Sequence, residues 1–411
     1  MFKISAALLL ALGFWQCEIS VDEFEASYGS LDLSSYVALG DSYSAGYVDG
    51  ALGRETQVES LPAILAQQFA LAGGGAFKQP LMPEGKSIGG TAIDEQGTLN
   101  GYFQLQVVNQ QLTPVPTVGD MEVFGDIVGD QGPFNNMAVP GAKASHLLTP
   151  LFSTPEVGNP YFVRFASNPG QSSVLSDALR AQPTFFSLWI GGNDVLTSAI
   201  AGGSDDITPK EEVAADIKLL VEQLAAEGRP GAIANIPSIE ALPYFSFAGP
   251  QLAAILPAAI LVQDPSEEAG FRALRTGEKV LLPALQKLGE GYGQVAKPLP
   301  AQFFLSLDEL NDISLAIAGY NEVIAEAAAE HNLALVDMHG MMERLKTGMV
   351  VDGNNYSSTF ISGQVLSLDG IHATPRGYAI IANEFIRAIN AKYSASVPLV
   401  NVNDFRGNVF P

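Results

Sequence analysis

Apolar positions along the chain come in short runs broken by turn residues, with longer stretches of helical spacing between them. Tyr36-Val-Ala-Leu39 is a short apolar run ending in Gly40-Asp41-Ser42, which predicts a strand followed by a sharp turn. Leu61 to Leu71 has helical spacing, with Pro62 admissible in the first turn. Thr184 to Ile190 predicts a buried strand and leads into Gly191-Gly192-Asn193-Asp194. Glu211 to Ala226 predicts an amphipathic helix closed by Gly228 and Pro230, and Gly231 to Ile236 another strand. Ile313 to Glu330 predicts a helix, and Leu333 to Val336 the strand that follows it. A last helix is predicted over Thr374 to Asn390, with Thr374 as N-cap and Pro375 at its first position. Strands separated by helices imply βαβ units and a parallel sheet.

Three stretches stand apart from this pattern. Residues 73–135 are rich in Gly, Pro, Gln and Thr, and around Tyr102–Val107 polar and apolar residues alternate. They read as an irregular insertion of small antiparallel hairpins and loops. Leu252 to Val262 is strongly apolar; it reads either as a lid beside a lipid-binding site or as a buried helix bent at Pro257. At the N-terminus, Lys3 precedes an apolar run from Ile4 to Trp15, which is too short to span a membrane and reads as a signal peptide over residues 1–16. Residues 17–34 are polar and acidic and read as a tether, and residues 399–411 as a C-terminal tail.

Composition narrows the function classes. Apolar residues make up 47% of the 411 residues, which supports a large core and excludes a disordered chain. With 44 acidic against 21 basic residues the net charge is −23, so the surface repels polyanions and nucleic acid is not an expected partner. Cys17 is the only cysteine, so no intramolecular disulfide forms. Its place directly after the apolar run is similar to a bacterial lipoprotein signal, although Phe14, Trp15 and Gln16 stand where small residues are usual. Cys17 is therefore either a thiol in a discarded leader or a lipidated N-terminus. The second reading is taken, because no small-residue cleavage site competes nearby. The expected location is outside the cytoplasm, as an outer-membrane or cell-surface lipoprotein, otherwise periplasmic or secreted. Membrane contact is expected only through that anchor.

Four segments carry candidate chemistry, each at or just after a predicted strand end, where open α/β sheets place their sites. In Gly40-Asp41-Ser42-Tyr43-Ser44 a serine on a strand-to-helix turn is exposed near backbone N–H groups that can stabilise an oxyanion. In the stretch from Asn136 to Ser145, Gly141 at a loop-to-helix junction can offer its N–H without a side chain in the way. In Gly191-Gly192-Asn193-Asp194 an asparagine amide can donate to developing negative charge. In Asp369-Gly370-Ile371-His372 a carboxylate can orient an imidazole whose other nitrogen takes a proton from serine. Each alone is equally an ordinary turn, helix entry or cap.

Together, in this order, GDSYS, NNMAVPGAKAS, IGGND and DGIHATPRGY resemble the SGNH (GDSL-type) hydrolase family, over a frame from about Tyr36 to Ile389 that leaves out the insertion. The resemblance implies a single domain over about 35–398, a three-layer α/β/α fold with a central parallel sheet (SGNH/flavodoxin-like). It implies Ser42 as nucleophile, with His372 as general base and Asp369 as its orienting partner. The Ser42 N–H, the Gly141 N–H and the Asn193 side chain match the oxyanion donors. The activity implied is hydrolysis of carboxylic esters, of a small molecule, a lipid or an acetylated glycan, through an acyl-serine and with no metal or organic cofactor. Two residues depart from the pattern: Tyr43 stands where the name-giving motif has leucine, a position read as not chemical, and Pro140 precedes Gly141. A second functional class, a non-catalytic glycan- or lipid-binding surface lipoprotein on the same frame, is disfavoured by the presence of all the expected catalytic residues.

The remaining histidines are given structural roles. Asp337-Met338-His339 offers two metal ligands without a third at suitable spacing and is read as structural or as part of a pocket rim. His146 is read as a partly buried helix residue, and His331 as the end of a helix.

Overall fold

A computed structural model describes residues 25–91, 98–108, 110–248 and 259–411. The expected leader, Cys17 and residues 252–258 of the apolar run lie outside the described residues. Four parallel strands form the centre: β1 (Tyr36–Gly40), β2 (Phe185–Trp189), β3 (Gly231–Ala234) and β4 (Ala334–Val336), in the spatial order β1-β2-β3-β4. Every residue of β1, β2 and β3 is buried whichever way it points. A strand is apolar throughout, rather than alternating, only when both sheet faces are covered.

The cover comes from helices α1 (Ser42–Ala45), α2 (Leu61–Leu71), α3 (Asn193–Ile200), α4 (Lys210–Leu224), α5 (Leu307–Glu330) and α6 (Pro375–Tyr393). Helix α2 packs with α6, and α4 with α5. The expected cap is present at α6, where the Thr374 side chain accepts from Gly377 N and Pro375 opens the helix, and the structure adds one at α2, where the Ser60 side chain accepts from Ala63 N. Helix α5 begins at Leu307, earlier than the expected Ile313, because Ser306 and Glu309 form a capping box. Leu310, packed against the core, carries the apolar spacing back from Ile313 into these first turns.

The outer edge of β1 decides where the second motif goes. Ala38 N–H donates to Asn135 O (2.8 Å), Met137 N–H to Ala38 O (2.8 Å) and Val139 N–H to Gly40 O (3.0 Å). This extended segment runs alongside β1 and delivers Gly141 to the same sheet edge as the turn after Gly40. The 73–135 stretch contains an antiparallel hairpin, Asn100–Val108 against Gln111–Val118. Its Phe103 N–H donates to Asp49 O (2.6 Å), and its Phe103 ring lies where a Cβ on Gly50 would stand. The insertion therefore rests on the loop that follows α1.

Three expectations need correction. The part of the tether that is described is docked: Leu31 and Leu33 are buried, and Ser396 N–H donates to Ser27 O (2.9 Å). Both leucines belong to the main core, and Ala26 packs against it. The C-terminal tail also packs back, with Val400 and Val402 buried and the Asn383 amide pairing both ways with the Val400 backbone (2.9 and 3.0 Å). At its described end the apolar run is buried, as the core reading has it, but on a strand and not on a helix. Leu261–Gln263 is a strand paired with Phe271–Ala273, and Ile260 and Val262 are buried in a satellite core with Val280, Ala284, Leu299 and Phe304. Its apolar character reflects burial.

Candidate active site

The site is built at the C-terminal ends of β1 and β2. Gly40 closes β1 where a Cβ would lie 2.6 Å from both Ser44 Oγ and Trp189 O, so only glycine lets β1, β2 and the turn approach this closely. Asp41 follows in extended conformation and caps α1, its Oδ1 accepting from Tyr43 N (3.0 Å). Ser42 is thereby fixed as the first residue of α1, with its N–H free of an intrahelical acceptor.

The fourth motif meets it from the other end of the chain. His372 Nε2 lies 2.8 Å from Ser42 Oγ, and His372 Nδ1 lies 2.8 Å from Asp369 Oδ2. A carboxylate acceptor at Nδ1 requires that nitrogen to carry the proton, which leaves the Nε2 lone pair facing the serine hydroxyl. Asp369 is itself fully engaged. Its Oδ1 accepts from Ile371 N, His372 N and Ser367 Oγ, and its Oδ2 also accepts from Gly50 N (2.8 Å). Burial alone would raise the Asp369 pKa, but the neighbouring His372 charge and these donors hold it down at about 2. Gly370, between the pair, has φ +74° and its missing Cβ would lie 2.9 Å from Tyr244 N, so the tight turn that joins Asp369 to His372 needs glycine.

The three oxyanion candidates are stitched together by Asn193, the first residue of α3. Its Nδ2 donates to Ala142 O (3.0 Å) and, at a longer 3.4 Å, to Asp41 Oδ2. Ala142 is the neighbour of Gly141, and Asp41 the neighbour of Ser42. Gly141 is exposed, with φ +76° and open space where a Cβ would be. It sits in a turn rather than at a helix entry, because the following helix is a 3₁₀ turn that starts only at Ala144. The turn is pinned by Asn159 Nδ2 donating to Pro140 O (2.9 Å) and Ala144 N donating to Asp194 Oδ2 (2.9 Å). The structure thus brings together Ser42, Asp369, His372, Gly141 and Asn193.

Several residues of the site escaped the sequence reading. Asp194 is fully buried and anchors the Gly141 turn to α3. The loop after α1 grips the Asp369 loop: Asp49 N donates to Ser367 Oγ (3.1 Å), and Asp49 Oδ1 accepts from Leu368 N (2.9 Å). The only signals were the charged residue in Gly-Gly-Asn-Asp and the Asp-Gly pair after α1, both of which look like turn residues. The other histidines have structural partners. Asp337 caps the helix Met338–Thr347 and His339 Nδ1 lies 3.2 Å from Ile236 O. His146 lies on the 3₁₀ turn, where its Nδ1 accepts from Lys143 N (3.1 Å) and its ring stacks on Phe152. His331 is the C-cap of α5.

Two carboxyls of the site are shifted in opposite directions. Burial pushes Asp41 up to about 7, with the nearby Asp194 charge adding to it, against the Tyr43 N–H and His372 that favour its ionised form. Below about pH 4 Asp41 is neutral in both folded and unfolded chains. Between about pH 4 and 7 the unfolded chain ionises while the native state keeps its proton, so Asp41 lowers stability progressively, by at most about 4 kcal/mol, and no further above pH 7. Asp369 acts in the opposite sense: it stabilises above about pH 4, and that contribution is lost as pH falls toward 2. Thermal denaturation from pH 4 to 9 is therefore expected to show the melting temperature of Asp41→Asn gaining on wild type up to pH 7 and then running parallel. A difference independent of pH across the whole range would contradict this.

The family model for GDSL-like lipase/acylhydrolase matches residues 36–385. No curated protein matches the chain. Similar solved structures include an α/β hydrolase from the metagenome of Lake Arreo, Spain, 14% identical, with 89% of this chain and 99% of that chain covered and a TM-score of 0.41. A GDSL-like lipase from Parabacteroides merdae is 11% identical over 89% of this chain and 99% of its own, with a TM-score of 0.39. Axe2, an acetylxylan esterase from Geobacillus stearothermophilus, is 12% identical over 88% of this chain and 96% of its own, with a TM-score of 0.38. The matched span runs from the first residue of β1 into α6 and takes in all four motif segments, and the chain belongs to the GDSL-like lipase/acylhydrolase family.

Proposed function

We propose that the protein is a serine ester hydrolase that transfers the acyl group of a carboxylic ester first to Ser42 and then to water. The observation that carries this reading is the unbroken hydrogen-bonded chain from Asp369 through His372 to Ser42, with both links at 2.8 Å. In the first step Ser42 Oγ bonds to the ester carbonyl carbon while His372 Nε2 takes the hydroxyl proton. Asp369 stabilises the resulting imidazolium without taking its proton. The carbonyl oxygen becomes an oxyanion facing the N–H groups of Ser42 and Gly141 and the Asn193 amide. The longer Asn193 link to Asp41 is the one that gives way to the oxyanion, while the Ala142 link keeps the side chain aimed. Collapse of the tetrahedral species breaks the bond to the alcohol oxygen, which leaves with the proton from His372. Water, deprotonated by His372, then attacks acyl-Ser42, and collapse of that second tetrahedral species releases the acid and regenerates the serine.

A short acyl group is the substrate class favoured here, as on an acetylated glycan or small ester. Ile260 and Val262 face the satellite core and are unavailable as contacts for a long acyl chain. Turnover of p-nitrophenyl esters from acetate to palmitate tests this: kcat/KM should be highest for acetate to butyrate and fall with longer chains. A maximum at octanoate or beyond would replace this reading with the lipid one. Export with Cys17 as an acylated first residue belongs to the same proposal, and the mass of the mature N-terminal peptide tests it.

A further inference from the structure

Tyr43 stands where the name-giving motif has leucine, and it is not a spectator. It is buried, and its hydroxyl donates to Ile371 O (2.7 Å), the carbonyl immediately before His372. Its ring lies 5.3 Å from the imidazole of His372 and 4.8 Å from Trp189, the last residue of β2. Tyr47, just past the end of α1, places a second ring 4.6 Å from the same imidazole, with its hydroxyl 2.7 Å from Gly50 O and 3.0 Å from Gly89 O. The imidazole thus has two aromatic neighbours contributed by the same short stretch of chain that carries the nucleophile.

This matters because the Ser42–His372 bond joins residues 330 positions apart. Its length is set by whatever ties the α1 turn to the 369–372 loop. Gly50 and Asp49 tie the loop at Asp369 and Leu368; the Tyr43 hydroxyl is the tie nearest to His372 itself. A leucine side chain has no donor and cannot make it. We propose that Tyr43 is a positioning residue that holds the His372 loop at the distance from which Nε2 reaches the Ser42 hydroxyl, with Tyr47 limiting the tilt of the ring. Because Tyr43 acts through His372 and not on the substrate, its loss lowers the chemical rate and leaves substrate binding alone. Burial keeps the phenol protonated above its usual range, so the donor is retained at neutral and mildly alkaline pH.

The test compares Tyr43→Phe, which keeps the ring and removes the hydroxyl, with Tyr43→Leu, which installs the name-giving residue. Active sites are titrated with a fluorophosphonate so that misfolded protein is not counted. Tyr43→Phe should lower kcat per titrated site roughly tenfold at unchanged KM, because small displacements of reacting groups cost heavily in rate. The rate of Ser42 phosphonylation should fall in step, and Tyr43→Leu should fall further. Tyr393→Phe is the control: it removes a buried hydroxyl that bonds Gly231 O (2.8 Å) at the start of β3, the opposite end of the strand from the site. It should lower the melting temperature with kcat per site unchanged. If Tyr43→Phe keeps kcat within twofold of wild type, or loses kcat only in proportion to titrated sites, the proposal is overturned. The proposal rests on ester hydrolysis through Ser42. A wild type with neither turnover nor labelling overturns both readings, whereas an active wild type with an undiminished Tyr43→Phe overturns only this one.

Discussion

Ser42→Ala is expected to lower ester turnover by about 10⁴- to 10⁶-fold while leaving the protein folded. In the proposed mechanism the hydroxyl is the atom that forms the acyl bond, and neither His372 nor the oxyanion donors can replace it. What remains is the catalysis that bound donors and substrate positioning give to attack by water. The fold should be indifferent to the change. Among the described residues Ser42 Oγ bonds only the His372 ring, which water can partner once the side chain is cut back to a methyl group, and the cap on α1 comes from Asp41. Steady-state kinetics on an acetate ester, with circular dichroism as the control, checks this. A folded variant retaining more than about 1% of wild-type kcat would mean that another group is the nucleophile.

The second large effect is expected from Asp369→Asn, about 10³- to 10⁴-fold in kcat with little change in KM. An asparagine can keep one oxygen toward Ile371 N, His372 N and Ser367 Oγ. Its amide nitrogen then stands at the Oδ2 position, where it meets two donors, His372 Nδ1–H and Gly50 N–H. The imidazole escapes this clash by moving its proton to Nε2, and in that tautomer it no longer accepts from Ser42. Because the carboxyl is held at about 2, Asp369 is ionised throughout any workable assay range, and the defect should be the same from pH 5 to 9. Activity within tenfold of wild type would show that Asp369 is a loop anchor and no more.

Much of this was legible in the chain because the signals are local. The four strands, the cap at Thr374, and the turn at Gly40-Asp41-Ser42 each follow from residues within a few positions of one another. The Asp369–His372 pair was visible for the same reason, since one turn brings the two side chains together. What could not be read depends on partners far away in sequence. Nothing near Gly50 or Asp49 indicates that their backbone and side chain will close on residues 367–369. Tyr43 looked inert because its role lies in a carbonyl 328 residues on. Leu31 and Leu33 sit among polar residues that mark no packed segment, the tail valines show no helical or strand period, and burial of Ile260 and Val262 on a strand mimics the apolar density of a lid. The Gly141 turn was misplaced for a subtler reason: its positive φ, not a helix dipole, exposes the N–H.

The most direct test of the central claim, that Ser42 is activated by His372 and Asp369 for acyl transfer, is mass spectrometry of the folded protein after exposure to a fluorophosphonate. The account predicts one adduct, on Ser42 and not on Ser44 two residues on, formed at a rate that collapses in His372→Ala and absent in Ser42→Ala. A folded wild type that carries no adduct, or carries it on a different serine, would contradict the account and favour a binding protein built on the same frame.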